Sequence, residues 1–267
     1  MELMALQRGD GIIRLRKRYR LIYDGDLDMS GHSKWAKIKR DKGANDAKRG
    51  AIFTRIGNQI AIAARGGTDP SMNPALALAI EKAKQANMPN ANVQRAIDRV
   101  NDKNAAVLEE IAYEGMGPGG VGIIIETATD NRNRTFPEVR NALAKNGGRI
   151  ADAGSVMFQF THKGVITVGA TGEDALLTIL DAGAEDAIEE DGEIIVYTDQ
   201  KDLASVRTAI VEAGLEVKDA ELQYVPNNLI EVSDEETATK LMKVLDALDE
   251  LDDVVNVHTS ADITADI

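Results

Sequence analysis

Between residues 164 and 225 the chain follows a pattern that few folds accommodate. "VITV" alternates as a strand, Glu173–Ala182 carries Leu176, Leu177 and Leu180 at helical spacing, and "EDAIEE" and "EIIVYT" read as two further strands. Asp202–Ala213 then repeats the helical spacing with Leu203, Val206 and Ile210, and "LEVKDAEL" closes the run as a strand. The order β-α-β-β-α-β is the ferredoxin-like arrangement. Its halves echo each other: "LDAGAED" and "VEAGLEV" each end a helix at a glycine and enter a strand, and Gly183 and Gly214 lie 31 residues apart. Duplication of a βαβ-type half explains that spacing.

The flanking stretches are incomplete without each other. "EEIAYEG" and "VGIIIETA" read as strands joined by "MGPGG", whose glycines and proline supply turn chemistry. Thr135-Phe136-Pro137-Glu138 has the form of a capping box, opening a helix that turns Val139 and Leu143 inward and stops at Gly147, and "SVMFQF" reads as the next strand. After residue 225 come "NLIEV", a second capping box at Ser233–Glu236, a helix with Leu241, Val244, Leu245 and Leu248, and "VVNVHT". Together these pieces predict a discontinuous ferredoxin-like domain over residues 106–161 and 226–261, with 162–225 inserted in it.

Upstream the periodicity is purely helical. Phe53, Ile56, Ile60 and Ala63/Ala64 form one stripe, ending at Arg65 before Gly66-Gly67. Asn73 caps a second helix with Pro74 at its tolerated first position and Leu76, Ile80 and Ala83 inward; a third follows Met88-Pro89, capped by Asn90 or Asn92, with Val93, Ile97 and Val100 inside. The expected fold class is therefore α+β: a three-helix domain at 29–105, then two ferredoxin-like α/β sandwiches, one inside the other. Residues 1–28, with "IIRLRKRYRLIYDGD", read as a disordered extension ahead of Met29; Asp24, Asp26 and Asp28 argue against an organelle-targeting peptide.

Charge divides along the same boundaries. The net charge is −13, but residues 1–28 carry +1, residues 29–104 carry +8 and residues 105–267 carry −22. A basic module joined to an acidic body points to a polyanion partner for one part of the chain only. Within the basic module the positive charge is concentrated in "GHSKWAKIKRDKGANDAKRG", where Lys34, Lys37, Lys39, Arg40, Lys42, Lys48 and Arg49, followed by Arg55, can reach successive phosphates, and Trp35 offers a ring for stacking or packing. A second candidate is "TDNRNRT", where Arg132 and Arg134 leave a turn rich in Asp and Asn.

Other chemistry is poorly supported. There is no cysteine, which removes disulfides and thiolate sites and suits a reducing cytoplasm. His32, His162 and His258 are widely separated, and the acidic run from Glu185 to Glu193 lacks calcium-loop spacing, so neither metal nor cofactor is expected. "GPGG" lacks the Lys-Ser/Thr of a phosphate-binding loop, and no acid, base and nucleophile converge, so an enzyme is not expected. No stretch reads as a membrane span, and a monomer is expected. A small-molecule sensor using the paired ferredoxin-like units is the rival from another class.

The motifs "GHSKWAKIK", "DAKRGAIFTRI", "NPALALAIEKAKQANMP", "YEGMGPGGVGIIIE", "TDNRNRT" and "LDALDELDDVVNV" together resemble the YebC/PmpR family, over about Met29 to His258. The resemblance implies a helical domain followed by ferredoxin-like domains, and a DNA-binding transcriptional regulator; the alternative is a ribosome-associated translation factor that binds rRNA and relieves stalling. Ala51 stands where the family generally has Lys, Asn90-Ala91 replaces a commonly charged pair, Met116 sits at a frequently aromatic site, and the linker near 101–106 is shortened to "NDKNAA". These departures reduce the basic surface.

Overall fold

In a computed structural model, the structure describes residues 46–102 and 105–265, and side chains from residue 50 onward. The expected extension at 1–28 lies outside the described residues. The architecture is α+β with antiparallel sheets.

Helix α1 spans Asp46–Ala63, α2 Pro74–Gln85 and α3 Asn90–Asp98. They close on Ile56, Ile60, Leu76, Ala83, Met88, Val93 and Ile97, which are all buried. Asn73 joins the first two: its Oδ1 accepts from Leu76 N at 3.1 Å, and its Nδ2 donates to the carbonyls of Ala63 at 2.7 Å and Gly67 at 2.8 Å. One buried amide thus caps α2 and satisfies the frayed end of α1. Asn73→Ala should cost about 2 kcal/mol, a cap plus two orphaned carbonyls, read as a shift in the denaturant midpoint; a change within error would show the cap to be dispensable.

Helix α3 departs from expectation at both ends. Pro89 occupies the capping position with no side-chain bond, and Asn90 is the first helical residue, so neither asparagine caps. Beyond Asp98 the backbone tightens into a 3₁₀ turn, which rotates Val100 out of the inner stripe to 39% exposure.

Strands β1 (Glu109–Met116) and β2 (Gly122–Thr129) form an antiparallel hairpin. Its turn requires glycine, since Gly119 and Gly120 both have φ +77°. Helix α4 (Arg132–Lys145) and β3 (Arg149–Ile150) follow, and β4 (Phe160–Val168) leads into the inserted unit: α5 (Glu173–Asp181), β5 (Asp186–Glu190), β6 (Glu193–Thr198), α6 (Leu203–Glu212) and β7 (Val217–Pro226). The inserted sheet has order β5-β6-β4-β7, the ferredoxin-like adjacency. The chain then returns through β8 (Ile230–Val232), α7 (Glu235–Asp249), β9 (Val254–Thr259) and β10 (Ala261–Ile263).

Two strand assignments differ from the sequence reading. "SVMFQF" is not a strand before Phe160: the Glu114 carboxylate accepts from the backbone N–H groups of Gly154, Val156 (2.6 Å) and Met157 (2.7 Å), which bends that segment into a turn. Those three hydrogen bonds hold the Glu114 carboxyl below its ordinary value although burial acts to raise it. "NLIEV" does not join the larger sheet either. That sheet has order β3-β1-β2-β9, so β1 already holds the inner position that a returning strand would take, and β8 pairs in parallel with β10 instead. Helices α4 and α7 cover this sheet through Ile123, Ile125, Val139, Leu143, Leu241 and Leu245. Helix α7 starts from Asp234, whose carboxylate accepts from Thr237 N, rather than from Ser233.

Candidate nucleic-acid interface

Lys34, Trp35, Lys37, Lys39, Arg40 and Lys42 lie outside the described residues, and Lys48 and Arg49 fall in the first turn of α1, where side chains are not described. Arg55, expected on the same cationic surface, is placed elsewhere. Its side chain is 12% exposed, Nη1 meets Asp249 Oδ1 at 2.9 Å, and Nη2 donates to the Asp249 carbonyl. Asp249 ends α7, so Arg55 sits where free carbonyls and a carboxylate concentrate negative potential, and it fastens the helical bundle to the β units. Lys82 does the same with Glu221, and Glu81 with Arg207. These inward groups account for part of the positive charge counted in the basic module.

At the "TDNRNRT" turn the two arginines have different roles. Asn131, not Thr135, is the cap: its Oδ1 accepts from Asn133 N at 3.1 Å and Arg134 N at 3.2 Å, and Thr135 N is already bonded to the Asn131 carbonyl. The Thr135 hydroxyl instead donates to Asp253 Oδ2 at 2.6 Å, beside Thr129 Oγ1 at 3.0 Å and Arg134 Nη2 at 2.8 Å. Burial would raise the Asp253 carboxyl, but Thr135, Arg134 and Thr129 together hold it below its ordinary value. Arg134 is thus held by Asp253 and Asp130, whereas Arg132 is 65% exposed, approaches Glu109 at 3.7 Å and hydrogen-bonds the Tyr113 side chain.

Sequence reasoning missed the row Arg132, Phe136 and Arg140 on α4. Residues 131–150 hold five basic groups, Arg132, Arg134, Arg140, Lys145 and Arg149, against Glu138 alone, and all five are exposed. Phe136, on the same helix, remains 38% exposed. Arg132, Phe136 and Arg140 succeed one another at four-residue steps, which places them on one face. The Arg140 guanidinium lies 5.9 Å from the Phe136 ring centroid, and Tyr113 of β1 meets that ring at 5.8 Å, tilted 47°. The available signal was the local charge count, which the −22 total of residues 105–267 concealed.

The remaining candidates sort differently. In the acidic run, Glu185 pairs with Lys163 and Glu193 with Lys218, while Glu189 accepts from Gly172 N. Among the described residues no group of three or more His, Cys, Asp or Glu is placed to hold a metal ion, and no helix is long and apolar enough to cross a membrane. His162 stacks on Tyr224, and His258 is buried with Nε2 2.8 Å from Glu126 Oε2. A crevice between α2 and the inserted sheet, lined in part by Leu78, Gln85 and Val217, encloses about 10 Å³ and is bridged by the Lys82–Glu221 and Arg207–Glu81 pairs. That is room for one water rather than for a metabolite.

Known proteins match this chain over most of its length. Residues 33–103 match the TACO1/YebC protein N-terminal domain, and residues 108–261 match the TACO1/YebC second and third domain. A probable transcriptional regulatory protein of Maridesulfovibrio salexigens is 50% identical over 238 residues, covering 88% of this chain and 96% of that protein. One of the same description from Moorella thermoacetica is 48% identical over 246 residues, covering 90% and 98%. The crystal structure of a conserved hypothetical protein from Aquifex aeolicus superposes with a TM-score of 0.80 at 39% identity, covering 87% of this chain and 98% of that one. With both domain matches in register and identity near one half across nearly the whole length, the chain belongs to the TACO1/YebC family.

Proposed function

We propose that this protein is a cytoplasmic, nucleic-acid-binding regulator of gene expression that lays cationic surface on a phosphate backbone and performs no catalysis. The observation that carries the reading is the arrangement of charge. Residues 29–104 carry +8, residues 131–150 hold five basic groups against one acidic group, with Arg134 held by Asp253 and Asp130, and residues 162–225 have 15 acidic and 4 basic groups, net −11. Within residues 29–267 the basic groups concentrate in the first two of those stretches of sequence, and the rest carries an excess of acid that repels polyanions. The description of the relatives as probable transcriptional regulatory proteins supports a regulator.

Within that class, one observation favours folded RNA such as rRNA over promoter duplex. The acidic inserted unit docks directly on α2 through Lys82–Glu221 and Gln85 Nε2 to the Lys218 carbonyl at 3.0 Å, and a duplex following that side of the bundle would meet its repulsion. The nine-residue α3 is also a poor groove reader, since its exposed Gln94 is tied to Asp98 at 2.9 Å. Fluorescence anisotropy with labelled RNA and DNA at increasing salt tests the class. Neutralising about four phosphates of a single strand should weaken binding about sevenfold between roughly 100 and 200 mM salt. Absence of binding, or affinity indifferent to salt, would overturn it.

A further inference from the structure

We propose that the exposed face of α4 is a stacking site for an unpaired base of RNA, with Phe136 as its platform and Arg132 and Arg140 on its flanking phosphates. This inference rests on the nucleic-acid reading and adds to it a ligand class and a second site, separate from the basic segment before α1. Phe136 keeps 38% of its surface exposed although the core beneath α4 is complete with Val139, Ala142 and Leu143, so burial does not explain a large ring at this position. The ring is braced rather than loose: Tyr113 touches it from β1, and the Arg140 guanidinium lies near it, as a cation beside an aromatic face does.

Charge complementarity selects the occupant. Arg132 and Arg140 stand one helical step of four on either side of the ring, about 12 Å apart along the axis. An apolar protein partner would leave these guanidinium groups to be desolvated without counter-charges. A nucleotide strand supplies a flat, polarisable base for Phe136 and anionic groups for both arginines at once. Duplex nucleic acid hides its base faces in the stack, whereas loops and bulges of folded RNA present them. Arg134 takes no part, because Asp253 holds it.

The test uses the full chain, a labelled unstructured RNA and a blunt RNA duplex of the same length. Wild type should prefer the single strand. Phe136→Ala should weaken single-strand binding about tenfold, the loss expected for one stacked base, and leave duplex binding and the salt dependence unchanged. Phe136→Leu, which keeps apolar packing against Tyr113 without a π face, should behave like Ala, and Phe136→Trp should retain affinity. If wild type binds RNA but Phe136→Ala binds the single strand equally well, or Phe136→Leu is indistinguishable from wild type, the stacking site is wrong and the general reading stands. If wild type binds neither RNA nor DNA, both fall.

Discussion

The combined variant Lys37→Glu, Lys39→Glu, Lys42→Glu and Arg49→Glu should lose about a thousandfold or more in affinity for nucleic acid and keep its thermal midpoint. Four reversals change the local charge by eight units within a thirteen-residue stretch that holds six basic groups against two acidic ones. Each removed phosphate contact weakens binding through lost counterion release, and each new carboxylate adds repulsion, so the effects accumulate rather than saturate. Surface charge changes away from packed contacts ordinarily move stability by less than about 0.5 kcal/mol. Anisotropy titration beside circular dichroism reads both quantities. Binding that survives with the fold intact would transfer the interaction from this segment to α4, and the Phe136 variants would then carry the larger effect.

The inserted unit was legible in the sequence because its information is local. Two glycine-terminated helices, each followed by a strand, fix the order of elements, and the ferredoxin-like adjacency follows from that order. The cap at Asn73 was legible for the same reason, since a cap acts within three residues. The larger sheet was not. Whether Glu109–Met116 or Ile230–Val232 takes the inner position depends on pairing across more than a hundred residues, and both segments have the alternation of a strand. In the same way "TDNRNRT" contains two competent caps, and Asp253, 118 residues beyond Thr135, decides between them by drawing the Thr135 hydroxyl away.

The candidate interface divides along the same line. Arg132 and Arg134 look alike in sequence, two positions apart in the same polar stretch; only the fold shows that Asp253 holds one of them and leaves the other 65% exposed. Arg55 has the spacing of a phosphate contact, yet the C-terminus of α7 is a nearer anion. Charge counts identify which module is basic, but they do not distinguish a guanidinium aimed at a partner from one that fastens two domains together.

That distinction can be measured at Lys82, where α2 meets β7. Lys82 pairs with Glu221, whose other oxygen accepts from Gln223 at 2.7 Å. Burial alone would push the Glu221 carboxyl up; the Lys82 ammonium, the Gln223 amide and the nearby His258 hold it well below the usual carboxylate range. Lys82 is correspondingly raised: burial acts to lower it and Arg55 opposes it, but Glu221 and Asp219 prevail. In wild type the depressed Glu221 therefore contributes stability that is full above the unfolded carboxylate value and is lost as pH falls through the folded one. Lys82→Ala removes the partner and leaves a carboxylate with 21% side-chain exposure, at a cost of about 3 kcal/mol near neutrality, the low end for a broken buried pair. Burial then dominates at Glu221 and its folded value rises above the unfolded one, so the sign of its contribution reverses: stability is regained at this site as pH falls from about 7 towards about 5. Lys82→Met with Glu221→Gln should recover most of the loss and show neither slope, because no uncompensated charge remains. Denaturant midpoints for the three proteins at both pH values read out the cost and the two slopes. A Lys82→Ala protein as stable as wild type with an unchanged acid profile would mean that solvent screens the pair and that the bundle is held to the inserted unit by apolar contact alone.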